Sequence, residues 1–265
     1  MKPNPVKRAL REGKPQVGTW LSLGSAFAAR FLARTGLPWL TVDMEHTHTD
    51  IQTAALMFGA IADAGCTPLA RVNCCRHDLI KSVLDCGAMG IVVPMVMTAE
   101  EAQVAVAACQ YPPRGNRSLG GALHALNYGT TAERYFAGAD EEILVVLQTE
   151  HIDAVDRADE IYAVPGIDAI FVGPNDLAAS LRDSRGVAPT PERLEEVLTR
   201  IRETAARHKV PCGIHVKTAD DAARRIEEGW RFIAVGSELA MMLQNASALA
   251  NRFNQGEGAG TLANY

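Results

Sequence analysis

Several things are missing from this 265-residue chain, and each absence removes a class of protein. No apolar run approaches the roughly 20 residues that a membrane span requires. The N-terminal stretch MKPNPVKRALREGKP is basic but lacks the apolar core of a secretory signal, so a cytoplasmic setting is expected. No basic block stands out, and the net charge is −5 with a pI near 5.8. Nucleic acid is therefore not expected as a partner. The six cysteines, at 66, 74, 75, 86, 109 and 212, show no CxxC or zinc-ribbon spacing. A chain of this length needs no disulfide staples, so reduced structural thiols are expected. The first strand-to-helix turn also lacks a GxGxxG fingerprint, which argues against a dinucleotide-binding open sheet.

What is present is a repeating unit. The stretch 143–181 opens with ILVVLQTE and closes with IDAIFVGPNDLAASL. Its two short apolar, β-branched runs read as buried parallel strands with a helical middle between them. Each run ends in a carboxylate, Glu150 after the first and Asp176 after the second. Adjacent parallel strands lie roughly 4.8 Å apart, so these acids can meet at one point. Like charges that close repel unless a cation lies between them. Two oxygen-bearing side chains suit Mg2+ or Mn2+, with Co2+ a further candidate and other positions left to water or substrate. The competing reading is that each acid caps the helix that follows it.

The same alternation runs through the chain. Strands are expected at 17–21, 39–43, 68–72, 90–93, 143–149, 169–172, 211–216 and 231–235. Helices are expected at 7–12, 25–35, 51–64, 77–86, 99–109, 131–137, 191–208, 218–228 and 237–253. Eight βα units in this length, with no linker-like break, predict an α/β fold formed by a single (β/α)8 TIM barrel over residues 1–253. Residues 254–265, NQGEGAGTLANY, read as a mobile tail. In such a barrel the working residues gather at the C-terminal ends of the strands. There the sequence places Asp43, Glu45 and His46, then Arg71, then Gln148 and Glu150, then Asn175 and Asp176, then His215 and Lys217, then Gly236 and Ser237. That company favours a metal site over two helix caps. Trp20 is expected as packing at the barrel mouth. The run AVGSE (234–238) faintly suggests the phosphate corner of other barrels.

The segments VDMEH (42–46), PLARVN (68–73), IKSVLDCGAMGIVVPMVMTAEEA (80–102), YPPRGNRS (111–118), VLQTE (146–150) and GIDAIFVGPNDLAASL (166–181) together resemble the metal-dependent class II pyruvate aldolases. Members act on 4-hydroxy-2-oxoheptanedioate, 2-dehydro-3-deoxyglucarate or 2-keto-3-deoxyrhamnonate. The resemblance implies a (β/α)8 barrel, a homohexamer and a substrate that splits into pyruvate and an aldehyde. It implies Glu150 and Asp176 as metal ligands and Arg71 as the group that binds the pyruvate oxygens. It implies His46 as acid/base with Asp85 orienting it, Gln148 lining the site, and Asn175 and Asp176 offering N–H groups to a carboxylate.

Chemistry supports those roles independently. Cleavage of a 4-hydroxy-2-oxo acid leaves a pyruvate enolate, which calls for a Lewis acid at the 2-oxo oxygen. A permanently charged Arg71 stabilises developing enolate charge, and a histidine moves a proton near neutral pH. Departures from the family pattern lie away from these groups: Ser180-Leu181-Arg182, His151, the loop RSLGG at 117–121, and His215 where an apolar residue is usual. His215, with Arg117 from this or a neighbouring subunit, is expected to favour a polar or anionic aldehyde. Three other classes compete: a Schiff-base aldolase using Lys217, an acyl-CoA lyase, and a non-catalytic barrel that binds an oxoacid.

Overall fold

The computed structural model describes residues 1–120 and 123–253, and for 123 and 124 the backbone alone. The expected tail at 254–265 lies outside the described residues. Eight strands, β1 (Gln16–Leu21), β2 (Trp39–Asp43), β3 (Thr67–Arg71), β4 (Gly90–Val93), β5 (Leu144–Gln148), β6 (Ala169–Val172), β7 (Cys212–Val216) and β8 (Phe232–Ser237), pair in sequence order. All eight pairings are parallel, and β8 returns to β1, so the barrel closes. The expected α/β barrel is the fold of this chain.

Strand parity explains how the core divides. Trp39, Leu69, Val92, Leu144, Val146, Phe171, Phe232 and Ala234 fill the barrel interior. Their neighbours Leu40, Val42, Ala70, Ile91, Val93, Val145, Leu147, Ile170 and Val172 belong to the layer shared with the helices. Both faces are buried, which is why the strands read as unbroken apolar runs. Trp39 stacks on Phe232 with ring centroids 4.4 Å apart. A Cβ on Gly18 would lie 2.3 Å from the Trp39 ring, so only glycine fits there. The helix Pro5–Arg11 sends Val6 and Leu10 into the same interior core. Asn4 caps that helix, accepting from Val6 and Lys7 N–H, and Lys7 Nζ pairs with Asp168 at 2.8 Å.

The elements differ from expectation mainly at their ends. β5 stops at Gln148, so Glu150 lies just beyond the strand. The helical middle between β5 and β6 is two one-turn pieces, Ile152–Asp156 and Ala158–Tyr162, because Arg157 leaves helical geometry between them. β8 runs to Ser237, and the last helix, Glu238–Phe253, starts one residue later than expected. Among the described residues no helix is long and apolar enough to cross a membrane.

Candidate active site

Parity also aims the polar residues. Along β2, positions 39, 41 and 43 face inward; along β3, 69 and 71; along β5, 144, 146 and 148; along β7, 213 and 215. Side chains on a strand alternate between faces, so the apolar interior gives way at its C-terminal end to Asp43, Arg71, Gln148 and His215. These line a cavity of about 770 Å3 open to solvent, together with Trp20, His46, Glu150, Asn175 and Asp176. Nine residues from six strand ends thus share one mouth.

Arg71 is held from several directions. Its Nε and Nη2 donate to Asp43 Oδ1 and Oδ2 at 2.8 and 2.7 Å. Its Nη1 lies 3.1 Å from Glu45 Oε2, an ion pair without hydrogen-bond alignment. Its guanidinium carbon sits 4.6 Å from the Trp20 ring centroid. Trp20, expected only to pack the mouth, is therefore a cation–π support for Arg71. Burial works against the guanidinium charge, but Asp43, Glu45 and Glu150 outweigh it and hold the group protonated.

Glu150 is buried and fixed at both oxygens. Oε1 accepts the Met95 N–H at 2.9 Å, and Oε2 accepts Gln148 Nε2 at 2.7 Å. Met95 carries a φ of 50°, unusual for a side-chain-bearing residue, and that conformation accompanies its N–H bond to the acid. A Cβ on Gly173 would lie 2.5 Å from Glu150 Oε2, so the β6 exit must be glycine for the carboxylate to sit there. Pro174 then opens the helix Pro174–Ser180, whose first turn carries Asp176. Burial, reinforced by Asp176 and Glu45, pushes Glu150 up to about 7 despite the Met95 bond. Burial likewise raises Glu45 to about 7, against the pull of Arg71.

Asp43, Glu45 and Glu150 thus act on one guanidinium, and Asp176 lines the same cavity. The local excess of negative charge fits a divalent cation. The buried Gln148 Oε1 has no hydrogen-bond donor, a further oxygen facing the same region. Among the described residues no group of three or more His, Cys, Asp or Glu is disposed to hold a metal ion by itself. The donor set matches an ion that takes few protein oxygens and leaves several positions open.

The remaining expected residues divide. His46 lines the cavity, with Nε2 3.8 Å from Glu45 Oε2. His215 bonds through Nε2 to the Gly236 carbonyl at 3.1 Å, and burial lowers its pKa. Asp85 does not line the cavity; it ends the helix His77–Asp85 and accepts from Arg117 Nη2 at 2.6 Å. Arg117 is also elsewhere than expected. It is fully buried, with its guanidinium 4.7 Å from the Tyr111 ring centroid, so it takes no part in the cavity wall. Lys217 is exposed and outside the lining, which includes no lysine among the described residues. The Schiff-base reading therefore has no nucleophile in this cavity. Sequence reasoning placed Gly236 and Ser237 at this mouth, where the structure has them, but passed over Ser22, Phe171 and Gly173. Strand parity signals Phe171 and Gly173, whereas Ser22 becomes visible only once β1 meets β8.

Known proteins resemble this chain in sequence and in fold. The model of the HpcH/HpaI aldolase/citrate lyase family matches residues 16–245. The chain is 39% identical over 253 residues to a 4-hydroxy-2-oxovalerate aldolase of Rhodococcus jostii, covering 95% of this chain and 96% of the relative. It is 36% identical over 256 residues to a 4-hydroxy-2-oxo-heptane-1,7-dioate aldolase of Shigella sonnei, covering 94% and 95%. A crystal structure of an HpcH/HpaI aldolase/citrate lyase family protein from Burkholderia cenocepacia superposes with a TM-score of 0.85 at 33% identity, covering 94% of this chain and 98% of that one. A match across nearly the whole barrel, at this identity, makes the chain a member of the HpcH/HpaI aldolase/citrate lyase family.

Proposed function

We propose that this chain is a divalent-metal-dependent carbon–carbon lyase that reversibly splits a 4-hydroxy-2-oxo acid into pyruvate and an aldehyde. The observation that carries the reading is the convergence of Glu150 and Asp176 on the same mouth as Arg71, in a site with more carboxylates than cations. Relatives named as aldolases of 4-hydroxy-2-oxo acids support it.

In this reading Glu150 and Asp176 hold Mg2+ or Mn2+, or Co2+, and the ion, when bound, supplies Lewis acidity toward the 2-oxo group. The chain's own residues do the rest. Asn175 and Asp176 offer first-turn N–H groups, which have no helical carbonyl to bond, to the substrate carboxylate. Arg71, already rigid on Asp43 and Trp20, faces the oxygen on which negative charge develops. His46 takes the proton of the 4-hydroxyl group as the C3–C4 bond breaks and the aldehyde forms. The bonding electrons pass to the pyruvate fragment, whose C3 then takes up a proton. Asp85 would orient His46 as the resemblance implies; within this chain its bond is to Arg117.

His215 refines the substrate class. The Gly236 carbonyl only accepts, so His215 Nε2 carries the proton. Burial, with Arg71 and Lys217 nearby, favours the neutral ring. Nδ1 is then an acceptor, which suits a hydroxyl-bearing aldehyde rather than an anionic one. The buried Arg117 does not supply the positive partner that an anion would need.

A homohexamer belongs to the same reading. The helix Glu238–Phe253 leaves Met242, Leu243, Leu249 and Phe253 exposed, which supports association between copies. Six free cysteines support a reducing, cytoplasmic setting.

The test needs no knowledge of the aldehyde. The protein is incubated with pyruvate and Mg2+ or Mn2+ in D2O, with and without EDTA, and the methyl signal is followed by NMR. Metal-dependent loss of that signal is expected. Exchange that persists in EDTA, or none with metal bound and the fold intact, would defeat the proposal.

A further inference from the structure

The run AVGSE (234–238) ends β8 and opens the last helix, at the corner where many barrels bind phosphate. Here the corner is filled from within. Glu238, 9% exposed, folds its side chain back against the β1 exit. Its Oε1 accepts from Ser22 N–H at 2.7 Å and Leu23 N–H at 2.8 Å. Its Oε2 accepts from Ser22 N–H at 2.8 Å and Leu239 N–H at 3.1 Å. Three backbone donors from two separate segments thus converge on one carboxylate. Consecutive N–H groups of a loop, added to the first turn of a 16-residue helix, are the chemistry that elsewhere receives a bound anion.

The carboxylate is not needed to cap the helix, because Ser237 Oγ already accepts from Ala240 N–H at 3.1 Å. Its bonds to Ser22 and Leu23 have another consequence. Ser22, Gly236 and Ser237 all line the catalytic cavity, so the negative charge sits directly behind that wall. A phosphate arriving there would find its donors occupied and a like charge in place.

We propose that Glu238 is a specificity-determining residue: an internal anion that occupies the corner between β1 and β8 and excludes acceptor aldehydes bearing a phosphate at that wall. The proposal rests on the aldolase reading for its meaning, but the corner is testable without turnover. Wild type, Glu238→Ala and Glu238→Ser are each titrated calorimetrically with inorganic phosphate. Each is also assayed for condensation of pyruvate with glyceraldehyde and with glyceraldehyde 3-phosphate. The serine variant guards against a folding defect in the alanine one, and circular dichroism checks both.

In wild type, kcat/KM for the phosphorylated aldehyde is expected to be lower by about tenfold or more, as like-charge juxtaposition demands. In the variants that ratio narrows by about tenfold, and phosphate binding appears beyond whatever wild type shows. Binding common to wild type and variants reports on the metal and counts as no gain. Equal use of both aldehydes by wild type overturns the proposal, as does a folded variant that gains no phosphate binding. Failure of every protein to exchange pyruvate protons would instead strike the aldolase reading and leave the phosphate result standing.

Discussion

Arg71 and Asp43 face each other across the paired ends of β3 and β2, joined by two parallel hydrogen bonds of 2.8 and 2.7 Å. The register that pairs residue 43 with residue 71 makes this fork-to-fork geometry possible. Asp43 thereby fixes the plane of a guanidinium that lines the cavity.

A lysine cannot reproduce that plane. Arg71→Lys keeps the charge but loses the two-point contact. We expect kcat for aldol cleavage to fall about 10²- to 10³-fold, the scale seen when an oxyanion donor is lost. Asp43→Asn keeps one acceptor and should lose less. Steady-state kinetics with both variants checks the order, and a lysine variant of near wild-type rate would show that the fork is not used.

Gly173 offers a test of the proposed metal site from outside its proposed ligands. Its φ of −91° suits any residue, so alanine meets no backbone strain. The added Cβ would instead press within 2.5 Å of Glu150 Oε2. Gly173→Ala is expected to weaken Mn2+ binding by about tenfold or more, a loss typical when the surroundings of a metal ligand are disturbed, with the fold retained. Calorimetry of Mn2+ binding with a thermal melt beside it separates the two effects.

The raised carboxyls set a pH dependence. Burial lifts Glu150 and Glu45 to about 7, from the 4.5 usual for a free glutamate. Between those values the folded chain binds more protons than the unfolded chain, so stability is greatest in acid and is lost as pH rises through about 7. A divalent cation opposes this, since it binds the ionised form. In EDTA, Tm should decline from about pH 5.5 to about pH 8 more steeply in wild type than in Glu150→Gln. Added Mn2+ should raise Tm more at the higher pH. Equal slopes in the two proteins would refute the assignment of Glu150.

His215→Leu removes the acceptor nitrogen from the cavity wall. Pyruvate proton exchange should continue, while preference for hydroxyaldehydes over simple aldehydes should fall by about tenfold, the worth of one hydrogen bond to a neutral partner. Competition between glycolaldehyde and acetaldehyde measures the ratio. Loss of exchange along with selectivity would place His215 in the enolisation step instead.

The barrel was legible in the sequence because the strands are buried on both faces and several helices carry their own caps. Ser25, Asp50, Thr98 and Thr190 each accept an N–H at a helix start, a local event that local sequence records. Glu150, Asp176, Arg71, Gln148, His46 and His215 could be found the same way, since each follows an apolar run. Strand alternation turns that position into a direction, and barrel closure turns the direction into a shared mouth.

Other relationships required the closed fold. Nothing near residue 117 indicates that Arg117 is buried and bonded to Asp85, because Asp85 ends a separate helix, His77–Asp85. Trp20 under Arg71, Met95 donating to Glu150, and Glu238 reaching Ser22 across 216 positions belong to the same group. Sequence by itself determined which residues could carry charge to the barrel's mouth, through periodicity and capping that act over a few residues. Tertiary structure alone decided which charges meet, because hydrogen bonds and ion pairs act over a few ångströms of space, and eight strands must close before those distances exist.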